Sequence, residues 1–196
     1  MRVVRAAAAA LLCAGLAACS GTGAASGSGT GPGSGSGSGE IAATSQDISF
    51  TVDGTKTYGT LEIPAHRSGQ HLAAALLLAG SGPTDRDGNQ PAQKITPQTL
   101  KLVVGVLAQQ GIMTLRFDKY FTGQTGAGAF TADPGTVDLN AYIRQADAAY
   151  GFLRGQPTAD RQHLLVVGHS EGGFYGLLGM PVVLTKDPTD MGLTCG

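Results

Sequence analysis

Apolar and polar positions change rhythm several times along the chain, and each rhythm predicts a different element. In "QDISFTVDGTKTYGTLEIP" the pattern alternates: Ile48, Phe50 and Val52 share one face, Asp53-Gly54 interrupts, and Tyr58, Leu61 and Ile63 come after it. Alternation on both sides of an Asp-Gly pair predicts a β-hairpin, because that pair accepts the positive φ values of a two-residue turn. "LAAALLLAG" is a continuous apolar run, as a strand covered on both faces requires. "TPQTLKLVVGVLAQQG" repeats at helical spacing through Leu100, Val103, Val104 and Leu107, with Thr96 as N-cap, Pro97 at the first helical position and Gly111 as the stop. "IMTLRFD" reads as another strand. "DLNAYIRQADAAYGFLRG" reads as a second helix, with Leu139, Tyr142, Ile143, Ala146, Tyr150 and Leu153 on one stripe and Gly155 at its end. "HLLVVGHS" is a strand and "EGGFYGLLGM" a short helix. The order β-β-β-α-β-α-β-α places the chain in the α/β class: a largely parallel sheet with flanking helices and an antiparallel hairpin at its start.

The first fifth of the chain has a different character. "MRVVRAAAAALLCAGLAACSGTG" sets two arginines before a short apolar run and then small residues, the layout of an export signal. The run is too short to span a bilayer. Leu16-Ala17-Ala18-Cys19 resembles the bacterial lipobox, in which the cysteine is lipidated and becomes the first residue of the mature protein. The other reading is an ordinary signal peptide, with Cys19 a bystander. The adjoining segment, "SGTGAASGSGTGPGSGSGSGE", has no apolar area to bury and suits a flexible tether with an end-to-end distance of roughly 25 Å. The expected organisation is therefore a signal peptide over 1–18, a lipid-anchored linker over 19–40 and a domain over 41–196. The expected location is the outer face of the cytoplasmic membrane, held there through the lipid on Cys19.

Charge and cysteines narrow the remaining possibilities. The formal net charge is −1 and no basic cluster occurs, which leaves nucleic-acid binding without an electrostatic basis. Of the three cysteines, Cys13 lies in the leader, Cys19 takes the lipid and Cys195 is penultimate, so no disulfide is expected. The polar stretch Thr84-Asp85-Arg86-Asp87-Gly88-Asn89 invites a calcium reading that fails, because its glycine is misplaced and the twelfth position of the loop is Thr96. No metal and no cofactor is expected. Arg86 and the two aspartates are expected instead to bond to one another and stiffen the loop.

The chemistry centres on Gly168-His169-Ser170-Glu171-Gly172. With 31 glycines in 196 residues a G-x-S-x-G match is weak by itself. Its setting, between a strand and a helix, makes it a nucleophile elbow, in which flanking glycines permit the strained turn that exposes a serine hydroxyl. Acyl transfer to Ser170 needs two backbone N–H groups for the developing oxyanion. The residue after the nucleophile, Glu171, and Ser81 in the loop "AGSGPTDRDGN" are the candidates.

With "AGSGPTDRDGN", "LRFDKY" and "GHSEGG" in this order, the chain resembles the α/β-hydrolases, and among them bacterial lipoprotein esterases and serine aminopeptidase-like hydrolases, from Gln46 to about Leu178. The resemblance implies a Ser-His-Asp triad acting on carboxylic esters or related acyl bonds, with the acid and then the histidine later in the chain than the serine. Phe121 and Gln124 stand where relatives tend toward glycine and lysine, a change in the wall of the pocket.

The rest of that triad is not in place. His66, His71, His163 and His169 all precede Ser170. His169 points away from its neighbour at an elbow, and the other three are expected at the far end of the sheet. The acids after Ser170 are Glu171, Asp187 and Asp190, the last two in a proline-broken tail. Lys119, just past "IMTLRFD", would supply a base only in a Ser-Lys pairing; otherwise it is a structural lysine. The expected fold is thus the N-terminal part of an α/β-hydrolase, C-terminally truncated, with its last strands missing.

The residues support three readings. One is a tethered serine hydrolase acting on a small acyl-ester-like substrate, inactive where the acid and histidine are absent. Another is a catalytically dead lipoprotein that binds an acyl ligand or a protein partner. The third is a fragment whose open sheet edge prevents stable folding. Oligomeric state is left open.

Overall fold

The computed structural model describes residues 39–179. The expected signal peptide, Cys13, Cys19, most of the expected tether, Asp187, Asp190 and Cys195 lie outside the described residues. Seven strands and three helices succeed one another: β1 (Glu40–Ile41), β2 (Thr44–Val52), β3 (Thr55–Ile63), β4 (His66–Arg67), β5 (Leu72–Leu78), α1 (Thr99–Gln109), β6 (Met113–Phe117), α2 (Leu139–Arg154), β7 (Ala159–Gly168) and α3 (Glu171–Gly179). The expected order is present, with β1 and β4 added as a two-residue antiparallel pair.

Five strands form one sheet in the order β2-β3-β6-β5-β7. β2 and β3 pair antiparallel from Thr44 opposite Ile63 to Val52 opposite Thr55, closed by Asp53 (φ 49°) and Gly54 (φ 70°), so the Asp-Gly turn is where the alternation placed it. β3 runs antiparallel to β6, while β5 lies parallel to both β6 and β7. The C-terminal ends of β5, β6 and β7 therefore open onto the same edge of the sheet, the edge at which ligands are bound in open parallel sheets.

β5 shows why its sequence is apolar without interruption. Ala74, Leu76 and Leu78 pack with Met113, Leu115 and Phe117 of β6 against α2 and α3 through Ala146, Ala149, Leu153 and Tyr175. Ala75 and Leu77, with Ala79 beyond the strand, face the opposite way, onto Leu100 and Val104 of α1. Each buried leucine of this strand contributes about 2 kcal/mol of apolar burial. Among the described residues β7 pairs only with β5 and forms an edge, and Leu165, Phe174, Leu177 and Leu178 beside that edge are exposed.

Three local expectations need correction. Helix α1 begins at Thr99, and Thr96 does not cap it. The N-cap residue is Gln98, at φ 54°, and the first free N–H groups are taken by the polar loop: the Asp87 carbonyl accepts from Leu100 N and Lys101 N, and Asn89 Oδ1 accepts from Gln98 N. A partner distant in sequence replaced the local cap. In α2 the buried stripe is rotated from the expected one. Leu139 is exposed, while Ala141, Gln145 and Ala149 are buried with Ala146 and Leu153. Gln145 faces the core because it has two partners there: its Nε2 donates to Thr57 Oγ1 at 2.9 Å, and its Oε1 accepts from Tyr120 N at 3.1 Å.

The third correction concerns Arg86, which does not bond to Asp85 or Asp87. Its guanidinium crosses to Gln124 Oε1 and lies 3.6 Å from Asp118 Oδ2. Asp85 does act locally, accepting from Asp87 N and Asn89 N, whereas Asp87 turns to Arg116. Among the described residues no cluster of His, Cys, Asp or Glu is placed to hold a metal ion, and no helix is long and apolar enough to cross a membrane.

Candidate active site

Ser170 lies between β7 and α3 with φ 53°, a left-handed conformation rare outside glycine, and is exposed at the edge where the parallel strands end. Its two flanking glycines are there by steric necessity. A Cβ on Gly168 would sit 2.2 Å from Gly173 N, and one on Gly172 would sit 2.3 Å from Leu78 O. Gly172 N donates to His169 O and Gly173 N to Ser170 O, which closes the turn into the first turn of α3. The strained serine is held by a backbone that no side chain at 168 or 172 would allow.

The loop after β5 lies directly against this turn. His169 N donates to Leu78 O at 3.0 Å, and a Cβ on Gly80 would come 2.8 Å from His169 Nδ1. The Ser81 carbonyl accepts from Thr84 Oγ1 at 2.7 Å and from Gln90 Nε2 at 3.3 Å. The structure thus places Ser81 and Glu171 on the two segments that meet at the elbow.

Lys119, at the end of β6, completes the junction. It is buried, its Nζ donates to Gly80 O at 2.5 Å, and it lies 3.7 Å from Glu171 Oε2 and 5.7 Å from the centre of the Tyr142 ring. Burial pushes its pKa below the ordinary lysine range, and the Glu171 carboxylate opposes that shift. Tyr142 stacks on Tyr175 with ring centroids 5.6 Å apart. Burial, and after it the nearby Glu171 carboxylate, raises the pKa of both phenols. Behind these groups is a cavity of about 10 Å³ bounded by Leu78, Phe117, Gln145 and the two tyrosines, roughly the room of one water.

No histidine reaches Ser170. His66 Nδ1 is paired with Pro64 O at 2.8 Å, His163 Nδ1 with Asp160 Oδ2 at 2.7 Å, His71 precedes the N-terminal end of β5, and His169 packs on Gly80. Among the described residues no side chain hydrogen-bonds the Ser170 hydroxyl, and Lys119 is engaged by Gly80 O and Glu171. Among the described residues the arrangement is an exposed serine hydroxyl at a strained turn with no side chain bonded to it.

Asp118 was not legible as part of this neighbourhood. It is 2% exposed, its carboxylate accepts from Arg86 N and Gln124 N, and a Cβ on Gly123 would collide with it. Phe121, three residues on, has φ 66°, a left-handed conformation that glycine adopts more readily than phenylalanine.

Solved structures share this architecture. The α/β hydrolase GrgF from Penicillium sp. sh18 superposes with a TM-score of 0.54 at 20% identity, over 69% of this chain and 41% of its own. A dienelactone hydrolase from Anabaena variabilis gives 0.50 at 24% identity, over 71% and 57%. An esterase from Pyrococcus furiosus gives 0.50 at 17% identity, over 72% and 47%. No family model matches the chain, and no curated protein does. The described domain has the α/β-hydrolase fold in part. The chain spans about half the length of the solved structures it matches, between 41% and 57% in these three.

Proposed function

We propose that the chain carries the nucleophile half of a serine hydrolase acting on carboxylic esters or related acyl bonds. The observation that supports this best is the conformation of Ser170: a positive φ, between two glycines that admit no side chain, at the end of a parallel strand. Strain of this kind costs of order 1–3 kcal/mol and persists where the surroundings over-determine it. In the proposed reaction Ser170 Oγ bonds to the acyl carbon while the carbonyl π pair moves onto oxygen. The Ser81 and Glu171 N–H groups hold that oxyanion, and the serine proton passes to solvent water. Collapse of the oxyanion breaks the acyl–oxygen bond to the leaving alkoxide, which takes a proton back from water. A second water then adds to the acyl carbon, releasing the acid and returning a proton to Ser170 Oγ. The export signal and lipobox-like Cys19 support a place for this domain outside the cytoplasm, tethered to the membrane.

The test is covalent labelling of the full chain by a fluorophosphonate, with the adduct located by mass spectrometry. Labelling at Ser170 that disappears in Ser170→Ala is the expected result. A label that survives Ser170→Ala, or no label at all, would remove the nucleophile.

A second reading is a lipoprotein that binds an acyl ligand without turning it over, in keeping with an exposed Ser170 whose hydroxyl no described side chain engages. Saturable binding of a fluorescent fatty-acyl probe together with no fluorophosphonate adduct is the outcome that favours it.

A further inference from the structure

Lys119 and the Gly80–Ser81 peptide make a contact whose consequence goes beyond packing. The peptide is trans, as are all the described peptides, so its carbonyl and its N–H point in opposite directions from one rigid plane. Lys119 Nζ holds the carbonyl end, through Gly80 O, and the N–H at the other end belongs to Ser81. The next peptide plane is held as well, through the Ser81 carbonyl, by Thr84 Oγ1 and Gln90 Nε2. Lys119 also lies 3.7 Å from the carboxylate of Glu171, the residue that carries the other candidate oxyanion donor.

We propose that Lys119 is a positioning residue that clamps the two oxyanion donors, fixing the Ser81 N–H through the Gly80 carbonyl and the Glu171 N–H through its side chain. This rests on the reading of Ser81 and Glu171 as oxyanion donors. Rotating the Gly80–Ser81 plane would redirect its N–H, and the ammonium opposes that rotation because it would lose the hydrogen bond to Gly80 O in a buried place. A cation on the carbonyl also draws electron density from the amide, which makes its N–H a stronger donor. The groups that face Lys119 are few: the Glu171 carboxylate from α3, the Tyr142 ring from α2, and the Gly80 carbonyl from the loop after β5. A Ser-Lys base would instead need the amine at the Ser170 hydroxyl, whereas the hydrogen bond of the amine goes to Gly80 O.

Two measurements on the full chain test the clamp. In the wild-type protein the Ser81 amide ¹⁵N and ¹H resonances are expected to titrate with Lys119, because the charge leaves the adjoining carbonyl as the lysine deprotonates. Ser81 resonances that stay fixed through the alkaline range would overturn the proposal, and this needs no variant to fold. The second measurement is the rate of Ser170 labelling by a fluorophosphonate. Lys119→Met is expected to lower it at least tenfold, toward the ~100-fold cost of losing one oxyanion donor, with Lys119→Arg restoring part of the loss. Equal rates in Lys119→Met and wild type would also overturn it. If the wild type takes no label, the hydrolase reading falls, and the amide titration alone decides the clamp.

Discussion

Arg116 on β6 and Asp87 in the loop after β5 form a charge-assisted hydrogen bond of 2.8 Å. The same guanidinium donates to Glu62 Oε1 at 3.1 Å, so one buried cation ties the loop after β5 to the sheet through β3 and β6. The loop is anchored from below by Arg116 and from within by Asp85, and Asp87 in turn closes the start of α1 through its carbonyl.

Arg116→Ala should therefore cost about 3 kcal/mol, because it leaves two partly buried carboxylates without their cation and removes the packing of the arginine stem. Urea unfolding measures this as a lower midpoint at unchanged m. A loss under roughly 1 kcal/mol would mean that the loop stands on its other bonds.

Two adjacent glycines of α3 are expected to respond in opposite ways. Gly172→Ala drives a Cβ into Leu78 O and should lower stability by at least about 2 kcal/mol. In Gly173→Ala the nearest atom is Gly168 O at 3.6 Å, an ordinary contact, and alanine should gain up to about 1 kcal/mol from helix propensity. Thermal unfolding of the pair is the measurement. Equal shifts would show that the elbow moves freely against β5.

Lys119 gives stability a pH dependence of defined sign. Its ammonium titrates at the ordinary 10.5 in the unfolded chain and lower in the fold, chiefly through burial. Between those two values the unfolded state holds more protons, so stability rises with pH; the cost of burying the charge is full below the folded pKa and is relieved above it. The Tm of the wild type relative to Lys119→Met should climb as the pH rises toward the ordinary lysine value of 10.5 and level off above it. A flat difference would mean that the lysine is solvated in the fold.

Asp138 acts with the opposite sign. Its side chain accepts from Ala141 N at 2.8 Å at the start of α2, and that hydrogen bond holds its pKa below the usual 3.8. The stabilisation is present above the unfolded value and is lost as pH falls through the folded one. Asp138→Asn keeps a capping oxygen and cannot titrate. Its Tm should fall less steeply than that of the wild type below pH ~4; parallel acid slopes would show that the cap does not titrate with folding.

Where the sequence was legible, the cause was local. The β2-β3 hairpin arises from alternation around Asp53-Gly54, β5 from an unbroken apolar run, and the strand-elbow-helix setting of Ser170 from its flanking glycines and the segments on either side. The features that stayed hidden depend on partners far along the chain. Gln98 enters α1 in a left-handed conformation because Asn89 and Asp87 meet the helix end, and no property of "TPQT" reveals that. Gln145 lies off the apolar stripe expected for α2 and is buried because Thr57 lies opposite it. Lys119 was recognisable as a neighbour of the site, but whether its amine met the serine, the solvent or Gly80 O depended on how three strand ends converge.

Gln145 also bears on time and not only on place. With one end on Thr57 and the other on the amide of Tyr120, the residue after Lys119, it pins the strand exit that carries the lysine to the opposite sheet position. That segment has no slack to take up when a ligand arrives, so its backbone amides should be among the slowest to exchange with solvent. The ordering entropy of these groups is lost when the chain folds. Under the proposed function, this part of the wall would be set before a substrate arrives.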